Sequence, residues 1–193
     1  VATDSHRMSQ KVITLEKNGD NFDVVIPSRS LREFTSVFSD DIETVEVFFA
    51  NNQILFRSEH ISFYTRLLEG NYPDTDRLIP TEFNTEATFN VANLRFAMER
   101  ARLLSNATQN GTVKLEFKNG VVSSHVHSPE VGRVNEEIDT SAVSGEDLSI
   151  SFNPTYLIEA LKAIDSEQVV IRFISSVRPF TLVPEGNEQG FIQ

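Results

Sequence analysis

The stretch ETVEVFF at residues 43–49 is answered by EQVVIRF at residues 167–173, and this recurrence decides the fold. Each segment is rich in β-branched and aromatic residues and reads as a short strand. Around the second copy, residues 148–152 read as another strand, Asn153-Pro154 opens a helix carrying Leu157, Leu161 and Ile164, and residues 180–183 read as a further strand. Around the first copy, an extended run at 23–27 precedes Ser28 and Ser30, either of which can cap a helix that places Leu31, Phe34 and Phe38 on one face. Its own strand, 44–49, turns at Asn51-Asn52 into a second at 53–57. A third, looser copy has a strand at 88–90, a helix bearing Leu94, Ala97, Ala101 and Leu104, and strands at 113–117 and 121–126 joined by Asn119-Gly120. Alternating runs at 11–16 and 60–68 add sheet.

A strand, a short helix and paired strands, repeated three times, specify an α+β fold. The helices are too short and too few to wrap a parallel sheet. Antiparallel sheets in one layer with helices packed in the other bury both apolar faces. The Pro-containing segment 78–84 separates the first copy from the others and sets a domain boundary, with 1–84 an incomplete domain and 85–193 a fuller one.

The 193 residues, 39% of them apolar, suffice for a real core, and with no cysteine the chain has neither disulfides nor thiolate chemistry. This fits a reducing compartment. No run resembles a signal peptide or membrane span. The sequons at Asn106 and Asn110 stand without other signs of secretion. A formal charge of −11 argues against a simple basic nucleic-acid footprint, but its distribution is uneven. The helical stretches 28–39, 91–104 and 153–164 hold Arg29, Arg32, Arg95, Arg100, Arg102 and Lys162 against only Glu33, Glu99 and Glu159. Helices of net positive charge on an acidic molecule can face a polyanion while other surfaces repel it.

Two clusters raise the possibility of chemistry. Asp4, Ser5 and His6 hold the residue types of a nucleophilic triad, but adjacency does not align them and no Gly-x-Ser-x-Gly elbow is present. They read better as a polar turn in which Asp4 accepts backbone hydrogen bonds and Arg7 crosses a neighbouring surface. His125 and His127, two apart on a strand with Glu130 following, could ligate a metal, although a third ligand is not identifiable. A hydrolase or metal-dependent enzyme built on Ser5/His6 or His125/His127 is the rival reading. The paired acids Asp40-Asp41 and Glu136-Glu137 read as loop or strand-edge charge, and no glycine motif cradles phosphate. Met8, Leu78, Tyr156 and Val177, apolar residues beside polar or Pro-containing segments, are compatible with a groove for short hydrophobic peptides.

Several segments together resemble the bacterial DNA polymerase III beta subunit, the sliding-clamp family: ATDSHRM (2–8), VVIPSRSL (24–31), LLEGNYPDTDRLIP (67–80), RFAMERARLLSN (95–106) and ISFNPTYLIEAL (150–161). The combination of TD-x-HR with a later YPD and R-L-I-P is specific, and the likeness spans the whole chain. The resemblance implies a DNA-clamp fold with inner helices and outer sheets. Residues 1–84 would be the C-terminal portion of the clamp's middle domain, and 85–193 its third domain without the last strand and tail, so that a first domain and part of a second lie outside this chain. It further implies a nonenzymatic processivity factor without cofactor or metal. As a full-length head-to-tail homodimer, the clamp would encircle double-stranded DNA without sequence preference. It would tether the polymerase III alpha subunit, the clamp loader and other clamp-binding-motif proteins, in a bacterial cytoplasm at the nucleoid during replication. The implied peptide pocket comprises Thr3, Ser5, His6, Arg7, Met8, Pro73, Arg77, Leu78, Asn153, Tyr156, Val177 and Pro179. Pro179 stands where some family members carry a small hydroxyl residue. Arg29, Arg32, Arg95, Arg100 and Arg102 would face DNA, and Leu103 and Leu104 would meet the partner subunit.

Overall fold

The computed structural model describes residues 1–4, 6–14, 21–39, 41–105, 111–128, 130, 132–186 and 191–192. They form two compact units: 1–14 with 75–193, and 15–74.

In the first unit, β1 (Ala2–Thr3) and β2 (Met8–Lys11) form a small hairpin. In the second unit, α1 (Ser28–Val37) is followed by β3 (Glu46–Ala50), β4 (Gln53–Arg57) and β5 (Ser62–Arg66), paired antiparallel in that order. Helix α1 packs through Phe34, whose ring lies 4.6 Å from Phe56 and 6.1 Å from Phe63, and Ser30 hydrogen-bonds Thr65 at 2.8 Å. Among the described residues of this unit, only Phe38 and Ile54 are buried apolar residues, while Val47, Phe48, Phe49 and Tyr64 are exposed.

The rest of the first unit interlocks two of the repeats. One runs β6 (Thr85–Asn90), α2 (Val91–Ser105), β7 (Val113–Lys118), β8 (Val121–Ser128), β9 (Gly132–Ile138) and the short β10 (Ala142–Gly145). The other runs β11 (Leu148–Phe152), α3 (Pro154–Lys162), β12 (Gln168–Phe173) and β13 (Thr181–Pro184). A final β14 (Phe191–Ile192) joins β2, giving the order β1-β2-β14. The leading strand of each repeat enters the sheet of the other: the orders are β10-β6-β12-β13 and β11-β7-β8-β9, every pairing antiparallel. Neither repeat can therefore complete its sheet alone.

Between these sheets and the helices lies one apolar core. Phe89, Phe117, Phe173, Leu94, Met98, Leu157, Leu161 and Ile171 are fully buried, and the Phe117 and Phe173 rings lie 4.9 Å apart. Helix α2 packs against α3 and β8. Its buried residues Val91, Leu94, Ala97, Met98 and Ala101 recur at helical spacing. Helix α3 starts where Asn153 Oδ1 accepts the Thr155 N–H at 2.9 Å with Pro154 in the first turn.

Three sequence expectations need correction. Residues 23–27 form no strand: the backbone joins a neighbour through the Leu68 N–H to the Val25 carbonyl, and Pro27 has no N–H to continue a ladder. The alternating run at 11–16 reads as strand, but the strand is Met8–Lys11; 12–14 lie outside it, and 15–16 lie outside the described residues. Strands β9 and β10 were not anticipated, because β9 is largely exposed and lacks apolar alternation and β10 has only four residues.

Candidate functional site

The ATDSHRM stretch is the tip of the β1–β2 hairpin. Thr3 pairs with Met8 across the ladder, so Asp4, His6 and Arg7 lie in its loop. Asp4 organises that loop: its Oδ1 accepts the backbone N–H groups of His6 at 2.8 Å and Arg7 at 3.0 Å, and its Oδ2 accepts Arg7 Nε–H at 3.1 Å. The His6 hydrogen bond is the main reason that the Asp4 carboxyl is held below the usual carboxylate range. Thr3 closes the turn from the other side by donating Oγ1–H to the Arg7 carbonyl at 2.9 Å.

This loop reaches α3. The His6 ring stacks on Tyr156 with centroids 5.8 Å apart, and the Arg7 guanidinium lies 4.9 Å from the same ring's centroid. Arg7 Nη1 also donates to Glu159 Oε2 at 2.5 Å. That bond is the leading cause raising the guanidinium's already high pKa. The result is a partly exposed aromatic surface flanked by an imidazole and a guanidinium whose charge is matched by two carboxylates.

Of the pocket residues named from sequence, Thr3, His6, Arg7 and Tyr156 come together here, with Met8 next along β2 and Asn153 capping the helix that carries Tyr156. Ser5 lies outside the described residues. Arg77 and Leu78 sit on a 3-10 turn, Asp76–Leu78, which Gln10 of β2 reaches by donating to Asp76 at 3.4 Å. Leu78 is 62% exposed and Val177 87% exposed; Val177 and Pro179 lie between β12 and β13. Pro73 is exposed near the end of the second unit. The Asp4 turn is the one expected from sequence; one participant escaped the sequence reading, Glu159. The signal for Glu159 was its position three residues after Tyr156, which puts both on one helix face.

The arginines divide. Arg95 and Arg102, seven apart, share one flank of α2, while Arg100 lies on another and pairs with Glu136 of β9, Nε to Oε2 at 3.2 Å. Arg95 sits over Phe96 at 5.3 Å, with Nε 3.9 Å from Glu99. On α1, Arg29 is largely exposed and donates to Glu33 at 3.0 Å. Among the described residues, Arg32 and Arg102 have no carboxylate within ion-pairing distance. Leu103 is 72% exposed, whereas Leu104 leans on the core. The sequence reading overlooked Phe96, exposed two helical turns before Leu103 on the same face.

Among the described residues, the reactive alternatives find no geometry. Asp4 directs its carboxylate to N–H groups and to Arg7, and the His6 ring faces Tyr156. His125 uses both ring nitrogens, one with Asn135 and one with Ser123, each at 2.9 Å. Among the described residues, no three His, Asp or Glu side chains cluster as metal ligands.

Comparison with known proteins then decides the family. The model of the DNA polymerase III beta subunit central domain matches residues 1–74, and that of its C-terminal domain matches 76–190. The chain belongs to the DNA polymerase III beta subunit family. The beta sliding clamp of Streptococcus pneumoniae serotype 4 is 79% identical over 193 residues, which are 100% of this chain and 51% of that protein. The beta sliding clamp of Lactococcus lactis subsp. lactis is 53% identical over 195 residues, again 100% and 51%. Among solved structures, the DNA polymerase III beta chain of Streptococcus pneumoniae superposes with a TM-score of 0.96 at 79% identity, covering 99% of this chain and 51% of that one. The sliding clamp of Bacillus subtilis gives 0.93 at 36% identity, covering 99% and 50%. This beta-subunit chain thus spans about half the length of its curated relatives. Its α+β clamp fold is shared with them, and its family is not one of catalysts.

Proposed function

We propose that this chain supplies the middle-to-third-domain part of a DNA sliding clamp, bearing a pocket for short hydrophobic peptides and part of a DNA-facing helical layer. Residues 1–84 would belong to the middle domain and 85–193 to the third; the two domain matches, 1–74 and 76–190, support a two-domain organisation with an earlier junction. The whole protein would encircle duplex DNA as a head-to-tail homodimer in the bacterial cytoplasm. Topological confinement, rather than tight DNA binding, would keep the polymerase III alpha subunit, the clamp loader and other motif-bearing proteins near the template.

The observation that carries the reading is Tyr156 contacted by both His6 and Arg7, in a chain 79% identical to a named beta sliding clamp. A rigid aromatic face bordered by alkyl stems suits aliphatic and aromatic anchors of a peptide. Thr3, Met8, Arg77, Leu78, Asn153, Val177, Pro179, Ser5 and Pro73 complete the proposed pocket by resemblance. In the full-length protein, a short hydrophobic clamp-binding peptide should bind Met8→Ala and Tyr156→Ala about tenfold or more weakly than wild type, as expected when central interface anchors are truncated. Equal affinities would remove both residues from the pocket.

For DNA, the expected contacts are with phosphate and carry no base information. Arg29, Arg32, Arg95 and Arg102 are the stronger candidates. Arg100 is the weaker one, because it lies on a different flank of α2 from Arg95 and Arg102 and is tied to Glu136 of β9. Leu103, with Leu104 behind it, is proposed to meet the partner subunit, and the exposed Phe96 extends that surface.

A further inference from the structure

Arg7 is fixed at two ends. Asp4, three residues away in the same loop, accepts Nε–H at 3.1 Å, and Glu159 on α3 accepts Nη1–H at 2.5 Å. The two bonds differ in consequence. Asp4 moves with the loop, so its bond shapes Arg7 locally but does not tie it to anything else. Glu159 is on the helix that carries Tyr156, one turn further on, so its bond fixes the guanidinium relative to the ring it covers. An arginine side chain has many rotamers, so a guanidinium held by one partner samples many positions. Held by two, it stays over the ring.

On the reading of this wall as a peptide-binding site, we infer that Glu159 is a positioning residue, which locks Arg7 over Tyr156 and sets how the wall responds to charge on the peptide. Glu159 touches the peptide only through Arg7. Its effect has two parts. First, the guanidinium presents a flat edge and an alkyl stem beside Tyr156 instead of a mobile cation. Second, two carboxylates surround one guanidinium, so an acidic side chain on the peptide meets a cation that is already matched and a local excess of negative charge. The Arg7 side chain is about one-third exposed and Glu159 about one-half, so the effect operates in a partly solvated setting and is moderate.

The test uses the full-length protein and one short hydrophobic peptide in two versions, carrying Asn or Asp beside the hydrophobic anchor. Calorimetric titration compares wild type, Glu159→Gln, Glu159→Asp and Tyr156→Ala. Glu159→Gln is expected to bind the Asn peptide about threefold more weakly, the scale of one partly exposed cation–π contact. It is also expected to raise the ratio of Asp-peptide to Asn-peptide affinity, because Arg7 gains a free fork for the ligand. Glu159→Asp should recover part of both changes, since it keeps the charge. If Glu159→Gln binds both peptides as wild type does while Tyr156→Ala weakens both, the positioning role is overturned and the pocket stands. Equal weakening of both peptides, with an unchanged ratio and no recovery in Glu159→Asp, also overturns it, because damage to α3 alone would give that result. If Tyr156→Ala binds like wild type, the pocket reading falls and the role of Glu159 falls with it.

Discussion

Asp4 accepts the backbone N–H groups of His6 and Arg7, and its carboxyl is held below the usual carboxylate range chiefly by the His6 bond. Because the folded value lies below the unfolded one, the loop's stabilisation is complete above the unfolded carboxylate pKa and is lost as pH falls through the lowered folded value. The amide resonances of His6 and Arg7, followed by NMR from neutral pH to acid, should therefore move at a pH below that of an ordinary Asp. In Asp4→Asn the same movement should be absent. Gly145 answers to a different constraint. At φ +98° a Cβ there would stand 2.0 Å from the Asn84 carbonyl oxygen, where β10 meets the start of β6. Gly145→Ala should cost on the order of 2 kcal/mol or more in a urea unfolding experiment, since both backbone strain and a backbone clash must be relieved. Sequence showed a glycine at 145 but not the carbonyl facing it, which comes from a pairing across the sheet.

The elements were legible to differing degrees, for physical reasons. Helices α2 and α3 announced themselves through apolar residues at helical spacing and, for α3, through Asn153-Pro154, because a helix records its buried face and its start locally. The hairpin β7–β8 was visible in Asn119-Gly120, where Asn119 has φ 51° and Gly120 φ 79°. Strand β9 was invisible because most of its side chains are exposed, leaving backbone pairing with β8 as its main tie. The interlocking of the repeats was illegible too, since the entry of β6 beside β12 is a long-range choice that no local period encodes. For the candidate site, residue types in the hairpin loop pointed correctly to a polar turn, while its contact with α3 waited on the fold. Leu94 of α2 is fully buried in the core between the helices and the sheets. Leu94→Ala should lower stability by about 2–5 kcal/mol, read by chemical denaturation.

At the scale of the molecule, a chain of net charge −11 is read as a partner of duplex DNA because its arginines concentrate on the helices. Contacts of this kind depend on salt and not on base sequence. Reversing charge at Arg29, Arg95 and Arg102 in the full-length protein should reduce the salt dependence of DNA association and lower polymerase stimulation, measured by primer extension across a salt series. Arg100→Glu should have a smaller effect, because Arg100 lies on a different flank of α2 from Arg95 and Arg102 and is tied to Glu136 of β9. The exposed Phe48 and Tyr64, aligned through Leu55 on one face of the β3-β4-β5 sheet, mark an apolar strip that solvent alone does not favour. The central claim is that the whole protein holds DNA by enclosing it. Loading the full-length protein onto a closed circular duplex, washing in high salt, and then cutting the circle with a restriction enzyme tests this directly. Retention on the closed circle followed by release from the linear product is the predicted result, and equal retention on circular and linear DNA would contradict it.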